Sequence, residues 1–139
     1  MRKTQRKALR SGTSAVEFAL VAPVFLLFVF GLIEFGRMMM VQQSLTNAAR
    51  EGCRTAALAT TINSPDVEAA VRDYLQSVLS NASNVAEVRV TVPDGLAGIS
   101  SGTDVTVAVE VDYTDVSWVP LGYLGFNPTI GAEQTGERE

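Results

Sequence analysis

Gly12-Thr13-Ser14-Ala15-Val16-Glu17-Phe18 joins two unlike stretches of this chain. Before it, Arg2, Lys3, Arg6, Lys7 and Arg10 give residues 1–12 five positive charges and no negative one. After it, Phe18 to Ile33 is an uncharged apolar run of 16 residues, about 24 Å of helix at 1.5 Å per residue. Adding Thr13 to Val16 and Phe35 brings the segment to bilayer scale. A carboxylate at the mouth of such a helix is costly, so Glu17 is expected to have a task.

A basic start and an apolar middle also describe a secretory signal peptide. That reading needs a small-residue cleavage site soon after the apolar run, where Ile33-Glu34-Phe35-Gly36-Arg37-Met38 stands instead. The nearest Ala-x-Ala, Ala57-Leu58-Ala59, lies about 20 residues too late. A retained membrane helix over about residues 15–37 is the favoured reading, with the basic leader cytoplasmic under the positive-inside rule.

The rest of the chain is acidic. The net charge of −4 conceals six bases against fifteen acids from Thr13 onward, a net of −9 for that portion. Nucleic-acid binding wants a basic surface, so that class is set aside. Histidine is absent and Cys53 is the single cysteine, which removes Ser-His-Asp and Cys-His catalysis, an intrachain disulfide and most zinc sites. No phosphate loop or nucleophile elbow is present, so no enzyme activity, cofactor, metal or small-molecule substrate is expected. Cys53 reads as a small packed residue, an intermolecular disulfide being the alternative.

Beyond the apolar run no helix breaker occurs before Asn63-Ser64-Pro65, so the helix is expected to continue to about Ala59. Its outer half is amphipathic. Val41, Leu45, Ala48, Ala49, Gly52, Cys53 and Ala56 form one stripe, and Gln42, Gln43, Asn47, Arg50, Glu51 and Arg54 take the other side. Ser64-Pro65-Asp66 offers an N-cap, a first-turn proline and a first-turn acid. From there Val67, Ala70, Val71, Tyr74, Leu75, Val78 and Leu79 mark the apolar face of a second helix ending near Ser80-Asn81.

The period then changes from about 3.6 to 2. Val88, Val90 and Val92 alternate with polar residues, and after a Pro93-Asp94-Gly95 turn so do Val105, Val107, Val109, Val111 and Tyr113. These are two half-buried strands, expected to be antiparallel. A last short strand around Thr129 to Gln134 is weakly marked because Gly131 interrupts it, and Glu133 to Glu139 is expected to fray. Trp118 to Phe126 is an apolar, Gly/Pro-punctuated loop suited to covering the sheet or meeting a neighbour. Glu110, Asp112 and Asp115 are an alternative calcium set, but alternation along a strand favours solvent-facing carboxylates.

Gly12, then Glu17 and an aromatic four and five residues into an apolar helix, resembles the processing site of type IV pilin precursors. The resemblance implies that a prepilin peptidase cuts on the cytoplasmic side between Gly12 and Thr13. Glycine suits that position because a residue without a side chain lets the backbone extend into a membrane-adjacent protease. Glu17 then lies on the same helix face as the new amino terminus, about 6 Å along the axis. The resemblance implies that Glu17, with Phe18 beside it, serves assembly by meeting the amino group of a neighbouring subunit. A carboxylate simply solvated below the headgroups is the alternative. Glu34 and Arg37, three residues apart, read as interface anchoring at the outer end of the helix. Gly31 and Gly36 permit close helix approach, and Met38-Met39-Met40 reads as adaptable packing.

The longer set narrows the family. Thr13-Ser14-Ala15-Val16-Glu17-Phe18-Ala19-Leu20-Val21-Ala22-Pro23, Phe30-Gly31-Leu32-Ile33-Glu34-Phe35-Gly36-Arg37 and Leu45-Thr46-Asn47-Ala48-Ala49-Arg50-Glu51-Gly52-Cys53-Arg54 together look like the TadE-like family of minor pilins, or pseudopilins, from tight-adherence (Tad, Flp-type) pilus systems. Thr13 departs from the phenylalanine that other type IV pilins carry there, a position at which Tad-type precursors are more tolerant. A related class with a von Willebrand-type domain is set aside, because Asp115-Val116-Ser117-Trp118-Val119 lacks the last serine of its metal motif and the chain is too short.

The expected architecture is α+β and pilin-like: a basic leader over 1–12, a long helix over 13–60, and a small extracytoplasmic α+β domain over 61–139 with a second helix and an antiparallel sheet. The resemblance implies a single-pass protein of the bacterial inner membrane, N-terminus cytoplasmic, whose partners are the membrane, prepilin peptidase, other pilins and Tad assembly proteins, with possible incorporation in the pilus. The competing function is an unprocessed, membrane-anchored binding module that uses the Trp118 to Phe126 loop and the acidic sheet face.

Overall fold

The chain is described by a computed structural model. The structure describes residues 5–58, 61, 63–78, 88–92, 96–118, 125 and 128–139, with side chains from Gly12 onward. Helix α1 runs Gln5–Ala57 and passes through Pro23 without ending. Helix α2 is Ser64–Val78, strand β1 Arg89–Thr91, strand β2 Asp104–Asp112, a one-turn helix α3 Tyr113–Val116, and strand β3 Thr129–Glu137. A 3-10 turn occupies Leu96–Gly98. The class is α+β, as the switch from helical to strand periodicity requires.

Two compact units divide the chain, Met1–Gly36 and Arg37–Glu139. In the first, α1 from Gly12 onward exposes Val16, Phe18, Leu20, Leu27 and Phe28, and none of its most apolar 18-residue window is buried. By length and composition this helix suffices to cross a membrane.

The second unit folds the outer part of α1 and all of α2 onto one face of a three-stranded antiparallel sheet of order β1-β2-β3. The stripe read from the sequence is the buried side of α1: Val41, Leu45, Ala48, Ala49, Cys53 and Ala56 are core residues, and Gly52 is buried with them. Gly52 is needed for close packing, since a Cβ there would stand 2.6 Å from Val71 Cγ2 and 3.1 Å from Val107 Cγ1. On α2, Val67, Val71 and Leu75 are buried, Ala70 and Tyr74 half-buried, and Val78 exposed. Leu79 and the expected end of α2 lie outside the described residues. The helix begins at Ser64, with Asp66 N–H donating to Asn63 O at 3.3 Å, one residue earlier than an N-cap at Ser64 implies.

In β2 the expected alternation holds: Val105, Val107, Val109 and Val111 are buried between more exposed neighbours. Tyr113 is buried too, but opens α3, its N–H donating to Pro128 O at 2.9 Å. β1 is shorter than the Val88 to Val92 alternation and pairs Arg89, Val90 and Thr91 with Glu110, Val109 and Ala108. The Pro93-Asp94-Gly95 turn and most of the Trp118 to Phe126 loop lie outside the described residues.

The C-terminal expectation is overturned. β3 does not stop at Gln134 and the tail does not fray: nine residues pair with β2, from Thr129 opposite Asp112 to Glu137 opposite Asp104. The next residue, Arg138, is only 5 % exposed. Its N–H donates to Thr103 O at 2.9 Å, and its two terminal nitrogens donate to Ala56 O and Thr61 O at 2.8 Å each. Glu139 N–H reaches Ala57 O at 2.9 Å. The last carbonyls of α1, which lack partners within the helix, are thus satisfied by the end of the chain, and a cation there suits the helix dipole.

Candidate functional site

Candidate functional residues occur in each unit and are described for each separately. In the first unit Gly12 lies inside the described helix, and a Cβ on it would meet nothing within 4 Å. Any peptidase that cuts at this position must therefore unwind a turn of helix, and glycine lowers that cost by about 1 kcal/mol relative to alanine. Thr13, Glu17 and Phe18 are all exposed. The four-residue spacing puts Thr13 and Glu17 on one face, with Phe18 one position round. Glu34, near the end of this unit, is half-buried.

Arg37 opens the second unit and is fixed there by two contacts. Its Nε donates to the carbonyl of Val116, 79 residues further along the chain. Its guanidinium carbon stands 4.6 Å from the centroid of the Trp118 ring. A cation over an indole face at this distance is attracted by the ring quadrupole, by roughly 0.5–1 kcal/mol at an exposed site. Trp118 itself is exposed. The sequence marks Trp118 as part of an apolar loop and Arg37 as an anchoring residue, but carries no signal that joins them, because α3 provides the connection.

Further along α1, a concavity of about 310 Å³ is lined by Gln42, Gln43, Thr46, Asn47 and Arg50. Gln42 Nε2 donates to Gly131 O at 2.8 Å and Thr46 Oγ1 donates to Gln42 O at 2.8 Å. Lined by side chains of one helix and open to solvent, it does not enclose a small ligand.

The outer sheet face is tied up internally. Arg89 Nη2 lies 2.9 Å from Asp112 Oδ1, and its Nε lies 4.0 Å from Glu110 Oε2. Thr129 Oγ1 donates to Asp112 Oδ1 at 3.2 Å. The hydrogen bond to Asp112, then its charge, raises the Arg89 guanidinium above the usual arginine value. Glu110 and Asp112 thus share a cation, and no group of three His, Cys, Asp or Glu among the described residues could hold a metal. Cys53 is buried, its thiol 3.8 Å from Val105 O, and burial pushes its pKa up.

Residues 12–54 match the model of a family described as TadE-like protein. Neither a curated protein nor a solved structure matches the chain. The matched segment takes in the Gly12 to Phe18 junction, the apolar helix, Glu34, Arg37 and nearly all of the buried stripe. The match covers less than half of the chain, and over that stretch the chain is similar to TadE-like proteins.

Proposed function

From a TadE-like helix joined to a small α+β unit, we propose that this protein is a minor pilin or pseudopilin of a Tad-type pilus. It is held in the inner membrane by α1, its basic leader faces the cytoplasm, and the unit from Arg37 onward lies outside. Prepilin peptidase removes residues 1–12, and the exposed Glu17 carboxylate pairs with the new amino terminus of a neighbouring pilin. The observation that carries the reading is an apolar helix whose side chains its own chain leaves uncovered, preceded by glycine and glutamate at pilin spacing.

Glu17 separates assembly from insertion. A charge near the membrane edge costs less than the about 2.5–3.5 kcal/mol charged for one at the bilayer centre. Glu17→Ala should therefore leave membrane insertion unchanged while lowering the amount of the protein recovered with assembled pili by at least about tenfold, because removing one partner of a desolvated pair leaves the neighbour's amino group uncompensated, at a cost of about 3–5 kcal/mol when the pair is fully buried. Membrane fractionation against sheared pili measures both quantities. Equal recovery of wild type and variant in sheared pili would remove Glu17 from assembly.

A further inference from the structure

Trp118 is the chain's single tryptophan. At 71 % exposure it is also the most open large hydrophobic side chain of the second unit among the described residues. Its position follows from Arg37, whose guanidinium stacks on the ring while its Nε is held by Val116 O. Arg37 lies four residues beyond Ile33, so the helical rise sets it about 6 Å past the end of the apolar run. When that run spans a bilayer, the covalent chain alone brings Arg37 to headgroup depth, and Trp118 comes with it.

The chemistry of the pair suits that depth. An indole has a large apolar body and one N–H donor, which is why tryptophan concentrates at membrane interfaces. A guanidinium whose Nε is engaged keeps four N–H groups on its two terminal nitrogens, arranged to grip a phosphate. Met39 and Met40, exposed in the next turn of α1, add flexible apolar surface beside them.

We propose that Arg37 and Trp118 form an interfacial anchor that docks the second unit on the phosphate and glycerol layer of the extracytoplasmic leaflet. Trp118 inserts among lipid headgroups and Arg37 bonds lipid phosphate. This rests on the reading of the first unit as a membrane span.

The sole tryptophan makes the test direct. The full-length chain is placed in lipid nanodiscs, and its fluorescence is compared in unbrominated lipid, lipid brominated high on the acyl chain, and lipid brominated near the bilayer centre. Shallow bromine should quench Trp118 at least about twofold and central bromine much less, as expected for an indole at the interface. Iodide in the aqueous phase should quench weakly, and Arg37→Ala should shift the signal from bromine toward iodide sensitivity. A second chain, Phe28→Trp with Trp118→Phe, reports the span and should be quenched most by central bromine. Quenching of that reporter with no bromolipid quenching of Trp118 would overturn the anchor and leave the span standing. No quenching of either would overturn both. Shielding of Trp118 that grows only with the number of chains per disc would make a second copy the occupant and overturn the lipid proposal.

Discussion

Arg138 is the residue whose side chain ties the end of β3 to the end of α1. It satisfies Ala56 O and Thr61 O, which have little access to water, from 82 and 77 residues away. Removing the guanidinium takes one partner from each of these two carbonyls, and a buried carbonyl that loses its partner costs about 1–3 kcal/mol. Arg138→Ala should therefore lower unfolding stability by about 2–4 kcal/mol, whereas Arg54→Ala, at an exposed arginine 3.9 Å from Glu51, should change it by less than about 0.5 kcal/mol. Urea unfolding in detergent micelles, followed by the near-ultraviolet circular dichroism of the aromatic side chains, measures the difference.

Cys53 gives a pH-dependent counterpart. Burial raises the folded thiol pKa, while the unfolded thiol titrates near about 8.5. Below that value both states keep the proton, so the thiol adds no pH dependence. Above it the unfolded chain releases its proton first, and stability falls as pH rises toward the folded pKa. The stability of wild type relative to Cys53→Ala should be flat from pH 7 to about 8 and decline above about 8.5. A difference that stays constant across that range would contradict a protonated, buried thiol.

At the scale of elements, α1, α2 and β2 were legible because each writes its burial into a periodic pattern. The stripe from Val41 to Ala56 and the valines of β2 are buried as the spacing requires. β3 was legible only in part. After Ile130, its core-facing positions opposite β2 are Ala132, Gln134 and Gly136, which carry no apolar alternation. The strand is held by backbone pairing and by a close approach to α1: a Cβ on Gly136 would stand 2.7 Å from Cys53 Sγ. Gly136→Ala should cost about 1–3 kcal/mol by overpacking. In a Cys53→Ala background, where the sulfur is absent, the same change should cost at least about 1 kcal/mol less. A double-mutant cycle from urea unfolding measures this coupling, and a coupling near zero would mean that β3 does not pack on α1 there. The Arg37 and Trp118 contact was illegible for a related reason. Its two residues are recognisable singly, but their meeting depends on where α3 sets the chain after β2.

For the whole molecule, the apolar helix and the acidic α+β unit answer to different solvents. The first unit exposes Phe18, Leu20 and Leu27, which water does not tolerate as a continuous surface, while the second buries a conventional core. The leader carries five positive charges and no negative one, whereas the residues from Thr13 onward carry a net of −9. The candidate residues for processing and assembly, Gly12 to Phe18, lie where the basic leader meets the apolar run, which is why the sequence marked them. Under the proposed function, the chain is a precursor that inserts with its basic leader inside and matures by losing it.

Intact-mass and N-terminal analysis of the protein from membranes of cells with and without prepilin peptidase tests that claim most directly. A mature chain should begin at Thr13 when the peptidase is present and at Met1 when it is absent. A chain still beginning at Met1 in peptidase-positive cells would contradict maturation by loss of the leader.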